Sequence, residues 1–162
     1  MNINVSYMYL IMIPIILLVG LIYLQGAMSY DWLEDGDPWV HAVGVKYIQE
    51  EETFKVSQEN HRLIRYIDPY PPGYDFTMSV FNEIHDDMIF TLKFYNILFI
   101  VLGLAFFFFM FEEMFGSSEK AGIATFILAC IPAYFSHFIW AHTLAFMFLP
   151  LILYFAYKSK DN

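Results

Sequence analysis

The sequence predicts an all-α membrane protein with about four transmembrane helices and one large extracytoplasmic loop after the first helix. Two observations predict this class. Of the 162 residues, 59% are hydrophobic and 20% are aromatic, which is more apolar surface than the core of a soluble domain needs. Charge is confined as well: residues 29–88 hold thirteen acidic and four basic residues, whereas the rest of the chain holds four of each. The net charge of −9 therefore belongs to one segment.

The acidic segment limits the classes of partner. Nucleic acid requires a basic surface, so it is excluded as a ligand. Solvent, divalent cations or a cationic partner suit the segment instead. The single cysteine, Cys130, rules out a disulfide framework within the chain.

The first predicted span covers residues 5–28 and meets the roughly 20 apolar residues that a membrane crossing requires. A signal peptide is the alternative, but no basic residue precedes the run and the run is too long for one. We therefore expect a retained helix that Pro14 kinks. The second span covers residues 89–111, is apolar on every side, and follows Asp86 and Asp87, whose charge favours a helix N-terminus.

The third and fourth spans come from one apolar stretch. Residues 121–157 contain no formal charge, and a single helix of that length is too long for a bilayer. We expect a hairpin of two spans, residues 119–136 and 140–157, with the break between Pro132 and His142. Ser117 or Ser118 is expected to cap the first helix of this hairpin. Lys120, Lys158 and Lys160 then share one side, which the positive-inside rule makes cytoplasmic. Both termini are expected there, with loop 29–88 outside the cell membrane.

The segment from Asp31 to His41 lies just after the first span and carries the strongest candidate chemistry. Asp35 and Asp37 form an Asp-x-Asp pair, and hard cations such as Mg²⁺ or Mn²⁺ prefer such oxygen ligands. A metal there could neutralise a phosphate leaving group. The alternative, favoured on the residues alone, is that Asp37 caps a helix that begins at Pro38.

That predicted helix reaches about Glu51 and is expected to lie at the membrane interface. Its predicted apolar side consists of Trp39, Val40, Val43, Tyr47 and Ile48.

The segment from Tyr66 to Asp75 holds three prolines and a glycine, which predict an extended and then turning backbone. Its tyrosines suit a membrane interface or the face of a sugar, and a rigid surface loop is the alternative. Arg62 and Arg65 could bind a diphosphate, or could be solvated partners of nearby glutamates. His137 and His142 are five residues apart, which favours a polar turn at the membrane surface over a helical metal pair.

The order of these features resembles the GT-C membrane glycosyltransferases, most closely the catalytic subunit of oligosaccharyltransferase of the archaeal type. In that family an Asp-Pro-Trp-like sequence follows the first span, and Asp37-Pro38-Trp39 matches it here. The Pro- and Gly-rich sequence from Asp68 to Asp75 is similar to one that the family carries later in the same loop. The stretch from Pro132 to Ser136 is similar to a third family sequence, which precedes an external turn.

The resemblance implies metal-assisted transfer of a sugar or oligosaccharide from a polyprenyl-phosphate or diphosphate donor to an extracytoplasmic acceptor. It implies that Asp37 is catalytic and binds Mg²⁺ or Mn²⁺, with Asp35 beside it. Where the family has an acidic pair in the external turn, this chain has His142. Either His142 replaces a carboxylate as ligand, or the chain is a different GT-C member or is inactive. The predicted substrate-binding residues are Arg62, Arg65 and His137.

The expected partners are the polyprenyl-linked donor, membrane lipid and further membrane segments or subunits. Members of the family have more spans and a soluble C-terminal domain, so the chain is expected to form the N-terminal portion of a larger architecture. The other hypothesis is a non-enzymatic four-span assembly protein whose acidic loop binds a partner.

Overall fold

The computed structural model describes residues 7–56, 67, 70–131 and 141–159. These residues form helices and no strand, which confirms the all-α class. The helices are α1 (Tyr7–Met28), α2 (Gly36–Glu51), α3 (Gly73–His85), α4 (Met88–Phe115), α5 (Ser118–Ala129) and α6 (His142–Lys158).

Two of these helices, α1 and α4, are long and apolar enough to cross a membrane. Their 22 and 28 residues correspond to about 33 and 42 Å at 1.5 Å per residue. Helix α4 is the central one, since α1, α3, α5 and α6 all pack against it. By contrast α1 leaves most of its surface exposed.

One end of the apolar helices, called the lower end, joins the start of α1, the end of α4, the start of α5 and the end of α6. Tyr9 Oη donates a hydrogen bond to Glu112, and Ser118 Oγ donates to the same carboxylate at 2.7 Å. Lys158 Nζ lies 3.8 Å from Glu113 Oε2. Helix α4 continues through both carboxylates to Phe115, four residues beyond its predicted end.

The opposite, upper end joins the end of α1, the start of α4 and the start of α6. The buried Lys93 of α4 donates through Nζ to the carbonyl oxygen of Tyr30, two residues past α1. Thr143 Oγ1 donates to Asn96 Oδ1 at 2.7 Å. Helices α1 and α5 therefore run from the lower to the upper end, and α4 and α6 run back.

The apolar stretch 121–157 contains two separate helices. Helix α5 begins after Ser117, whose side chain accepts a hydrogen bond from the Lys120 amide, so the predicted cap is confirmed. It ends at Ala129, and α6 begins at His142. Most of the predicted break, residues 132–140, lies outside the described residues, so the full lengths of spans 119–136 and 140–157 stay predictions.

Helices α2 and α3 form a small layer at the upper end, outside the four apolar helices. They share a core with α4 that includes Val45, Met78, Leu92 and Tyr95. Asp87, one of the two acids predicted to favour the start of the second span, caps α4 by accepting from the Phe90 amide at 2.9 Å. The described part of segment 29–88 thus carries two helices where one was predicted.

Candidate functional site

The two segments singled out in the sequence meet in the α2–α3 layer. His41 ends the first segment and Asp75 ends the second, and His41 Nδ1 lies 2.6 Å from Asp75 Oδ1. Both side chains are buried, with 6% and 1% of their surface exposed. This pair ties the start of α2 to the start of α3.

The buried face of α2 explains the pairing. His41, Gly44, Val45 and Ile48 are spaced by three and four residues and so lie on one side of the helix, which is buried. Gly44 allows the approach, because a Cβ atom there would stand 2.2 Å from Asp75 Oδ2. The buried side of α2 therefore differs from its predicted apolar side, although the two share Ile48.

On that predicted side, Trp39 and Val43 are exposed, whereas Ile48 is buried. The reason is steric. The side of α2 that carries a glycine approaches its neighbour more closely than the side with the larger apolar residues.

Burial raises the pKa of Asp75 above its ordinary value, and the hydrogen bond and charge of His41 partly oppose that rise. The second oxygen, Oδ2, has no hydrogen-bond partner among the described residues. A buried carboxylate with an unsatisfied oxygen is costly to keep ionised. An ionised Asp75 therefore depends on its contact with His41.

A polar connection continues from this pair into the apolar helices. The Tyr74 ring packs edge-on against His41, with 4.8 Å between ring centroids. Tyr74 Oη donates to Asn96 Oδ1 at 3.4 Å, and Thr143 Oγ1 donates to the same oxygen. Burial and the nearby Asp75 raise the pKa of Tyr74 well above 10, so its hydroxyl keeps the proton that it donates.

A cavity of about 330 Å³ opens beside Tyr74. The end of the second segment forms one wall and the first two turns of α6 form the other. Its lining residues are Tyr70, Pro71, Gly73, Tyr74, Ala141, His142, Leu144, Ala145 and Phe148. The cavity combines aromatic and apolar surface with a few polar groups, which is typical of small-molecule sites.

The predicted metal ligands occupy different settings. Asp35 caps α2, because its Oδ1 accepts from the Gly36 amide at 2.6 Å. Asp37 lies in the first turn of α2 and is half-buried, so the prediction that Asp37 is the cap was wrong. The helix begins two residues earlier than expected because the Asp35 carboxylate satisfies its first amide. His142 is exposed and lines the cavity.

Among the described residues, no three His, Cys, Asp or Glu side chains are grouped so that they could hold a metal ion. The described donors Asp35, Asp37 and His142 therefore do not by themselves make up a divalent-cation site. The predicted Arg62, Arg65 and His137 lie outside the described residues. Mg²⁺ or Mn²⁺ binding therefore stays a prediction from the resemblance.

Sequence reasoning did not assign a role to His41, Asp75, Asn96 or Thr143. The spacing of His41, Gly44 and Ile48 was a usable signal for a buried helix face, but it did not identify Asp75 as the partner. Asn96 stands within an apolar helix, where a polar side chain indicates an internal hydrogen bond.

Comparison with known proteins adds no relative: no protein-family model, curated protein or solved structure matches this chain.

Proposed function

We propose that the chain is a multi-pass membrane protein with four spans, built on α1, α4, α5 with the residues that follow it, and α6. Supporting this, α1 and α4 are long and apolar enough to cross a membrane, and the apolar helices alternate in direction. Lys120 and Lys158 both belong to the lower end, which the positive-inside rule assigns to the cytoplasm. The α2–α3 layer then faces the extracytoplasmic side of the cell membrane.

We propose further that this layer serves glycosyl transfer of the GT-C type from a polyprenyl-phosphate or diphosphate donor. The observation that carries the proposal is the pairing of His41 with Asp75. It brings together the two segments whose sequences resemble that family. The pair lies near the cavity at the start of α6, at the upper end. A surface loop with no further role would not require a buried contact between a histidine and an aspartate of these two segments.

The roles of the chain's own residues follow from their positions. The His41–Asp75 pair holds the Pro- and Gly-rich segment against α2, and so fixes Asp37 relative to the cavity wall. Tyr70 and Tyr74 present aromatic surface to the cavity, which suits the face of a sugar ring. Arg62, Arg65 and His137 lie outside the described residues, so the resemblance alone assigns them to the donor's phosphate and makes Asp37 the catalytic carboxylate.

The test uses the full chain in proteoliposomes with polyprenyl-linked sugar donors, supplemented with membranes that supply its partner subunits. Asp37→Asn keeps the shape of the side chain and removes its charge, so transfer should be abolished while insertion is unchanged. Asp31→Asn, an exposed carboxylate on the connection that precedes α2, is the control and should retain transfer. Full transfer by Asp37→Asn would reject the assignment.

The alternative function is a non-enzymatic assembly protein with an acidic partner-binding loop. It is favoured by one observation: Asp35 is engaged in capping α2. Co-purification of the chain with another membrane subunit, together with no transfer by the wild type under any supplemented condition, would support this alternative.

A further inference from the structure

Helix α3 has a second apolar face that nothing in the described structure covers. Its inner face packs on α2 and α4, whereas Phe76, Val80 and Ile84 lie four residues apart on its outer face. All three are about half exposed or more. Phe54, from the connection after α2, extends this row, with its ring 5.5 Å from that of Phe76. We call these four residues the outer stripe; its helical part is about 12 Å long.

Acidic side chains flank the outer stripe at both ends. Glu50–Glu52 end α2 just before Phe54, and Glu83, Asp86 and Asp87 surround the end of α3 at Ile84. All six carboxylates are exposed. The described lysines nearby are Lys55 and Lys46, and Lys46 is paired with Glu50 at 3.6 Å. As far as the described residues go, the surface is therefore apolar along its centre and predominantly acidic at its ends.

This combination of apolar and acidic surface selects among occupants. Contact with lipid would draw the six exposed carboxylates out of water towards the bilayer, and removing a charge from water is costly, so lipid suits the outer stripe poorly. A second copy of the chain would bring like charges together, which disfavours self-association. A basic amphipathic helix satisfies both features, because its apolar residues cover the stripe and its lysines or arginines meet the acids.

We propose that the outer stripe of α3 binds a basic, amphipathic segment of a partner protein. The proposal concerns the outer face of the α2–α3 layer and does not depend on glycosyl transfer.

The test measures peptide binding to the full chain in zwitterionic nanodiscs, with empty nanodiscs as background. The probe is a synthetic amphipathic helix of leucine and lysine, and its leucine–glutamate counterpart is the charge control. Val80→Ser should weaken binding of the lysine peptide by about tenfold, since it removes apolar contact area. Val43→Ser is the matched control, because Val43 of α2 is 44% exposed and Val80 is 47% exposed. It should leave binding within about twofold.

Three outcomes would overturn the proposal. The first is equal loss of binding in Val80→Ser and Val43→Ser, and the second is equal binding of the two peptides. The third comes from a polarity-sensitive fluorophore on Val80→Cys in a Cys130→Ser background. A hydrocarbon-like signal in nanodiscs without peptide would show that the stripe lies on lipid. If the stripe binds the lysine peptide, the fluorophore should report a polar environment without peptide and an apolar one when the peptide binds. The polar signal should return at about 1 M salt, where the Debye screening length falls to about 3 Å and the charge attraction is lost.

Discussion

Asn96 Oδ1 accepts a hydrogen bond of 2.7 Å from Thr143 Oγ1, and both residues are buried. This bond holds the first turn of α6 beside α4 at the upper end. Tyr74 donates to the same oxygen from α3, so a single amide oxygen joins three helices. The α2–α3 layer is thereby attached to the apolar helices through a directional contact as well as through packing.

Thr143→Val should destabilise the protein by about 0.5–1.5 kcal/mol, because it keeps the side-chain shape but removes the hydroxyl that donates a hydrogen bond to Asn96. Unfolding by sodium dodecyl sulfate in mixed micelles measures the change. Thr125→Val is the control, since the buried Thr125 hydroxyl has no hydrogen-bond partner among the described residues. That substitution should be neutral or stabilising, and equal losses in the two variants would contradict the role of Thr143.

Gly44→Ala should destabilise the α2–α3 layer by about 1–3 kcal/mol, the usual cost of overpacking. The added methyl would stand 2.2 Å from Asp75 Oδ2, and the backbone of α2 holds it there. This loss opposes the gain of about 1 kcal/mol in helix propensity that Gly→Ala otherwise brings. Gly26→Ala, with no neighbour within 4 Å of the added atom, should be neutral or stabilising under the same unfolding assay. A stabilised Gly44→Ala variant would show that α2 and α3 do not approach each other this closely.

The pH dependence of stability should reveal the buried Asp75. Because burial raises its pKa in the folded state, the folded chain binds the proton more tightly than the unfolded chain does. The contribution of Asp75 to stability is then greatest below its ordinary pKa of 3.8, and is lost as the pH rises through the raised value. Wild type should lose stability relative to Asp75→Asn over that interval. A difference between the two unfolding curves that stays constant with pH would contradict the shift.

Membrane topology can be tested with single cysteines in a Cys130→Ser background. Glu83→Cys, in the α2–α3 layer, should react with an impermeant maleimide in intact cells. Lys120→Cys, at the start of α5, should react only after permeabilisation, because the proposed orientation, which follows the positive-inside rule, places the lower end in the cytoplasm. Labelling of both positions from the same side would reject the proposed orientation.

The parts of the fold that local sequence determines were predictable. Helix α1 was expected at residues 5–28 and is described from Tyr7 to Met28, because its apolar run is long and unbroken. Asp87 and Ser117 were expected at helix starts, and they cap α4 and α5. A capping side chain acts within three residues of its own position, so sequence alone carries the signal.

The buried face of α2, the second helix of the acidic segment and the partner of His41 were not predictable in the same way. Which face of α2 is buried depends on Gly44, whose missing side chain matters only once Asp75 stands against it. The cap of α2 is also set locally, but Asp37 was predicted and Asp35 is the cap, because two carboxylates within three residues give similar local signals.

The sequence by itself determined that this chain is helical and where its longest apolar helices lie. It also determined that the acidic residues are concentrated in one segment. Those properties follow from hydrophobicity and charge along the chain, which require no knowledge of contacts. Only the tertiary structure decided that His41 pairs with Asp75 and that Asn96 joins α3 and α6 to α4. His41 is 34 positions from Asp75, and Asn96 is 47 positions from Thr143. Such pairings arise from how the helices pack rather than from any local pattern.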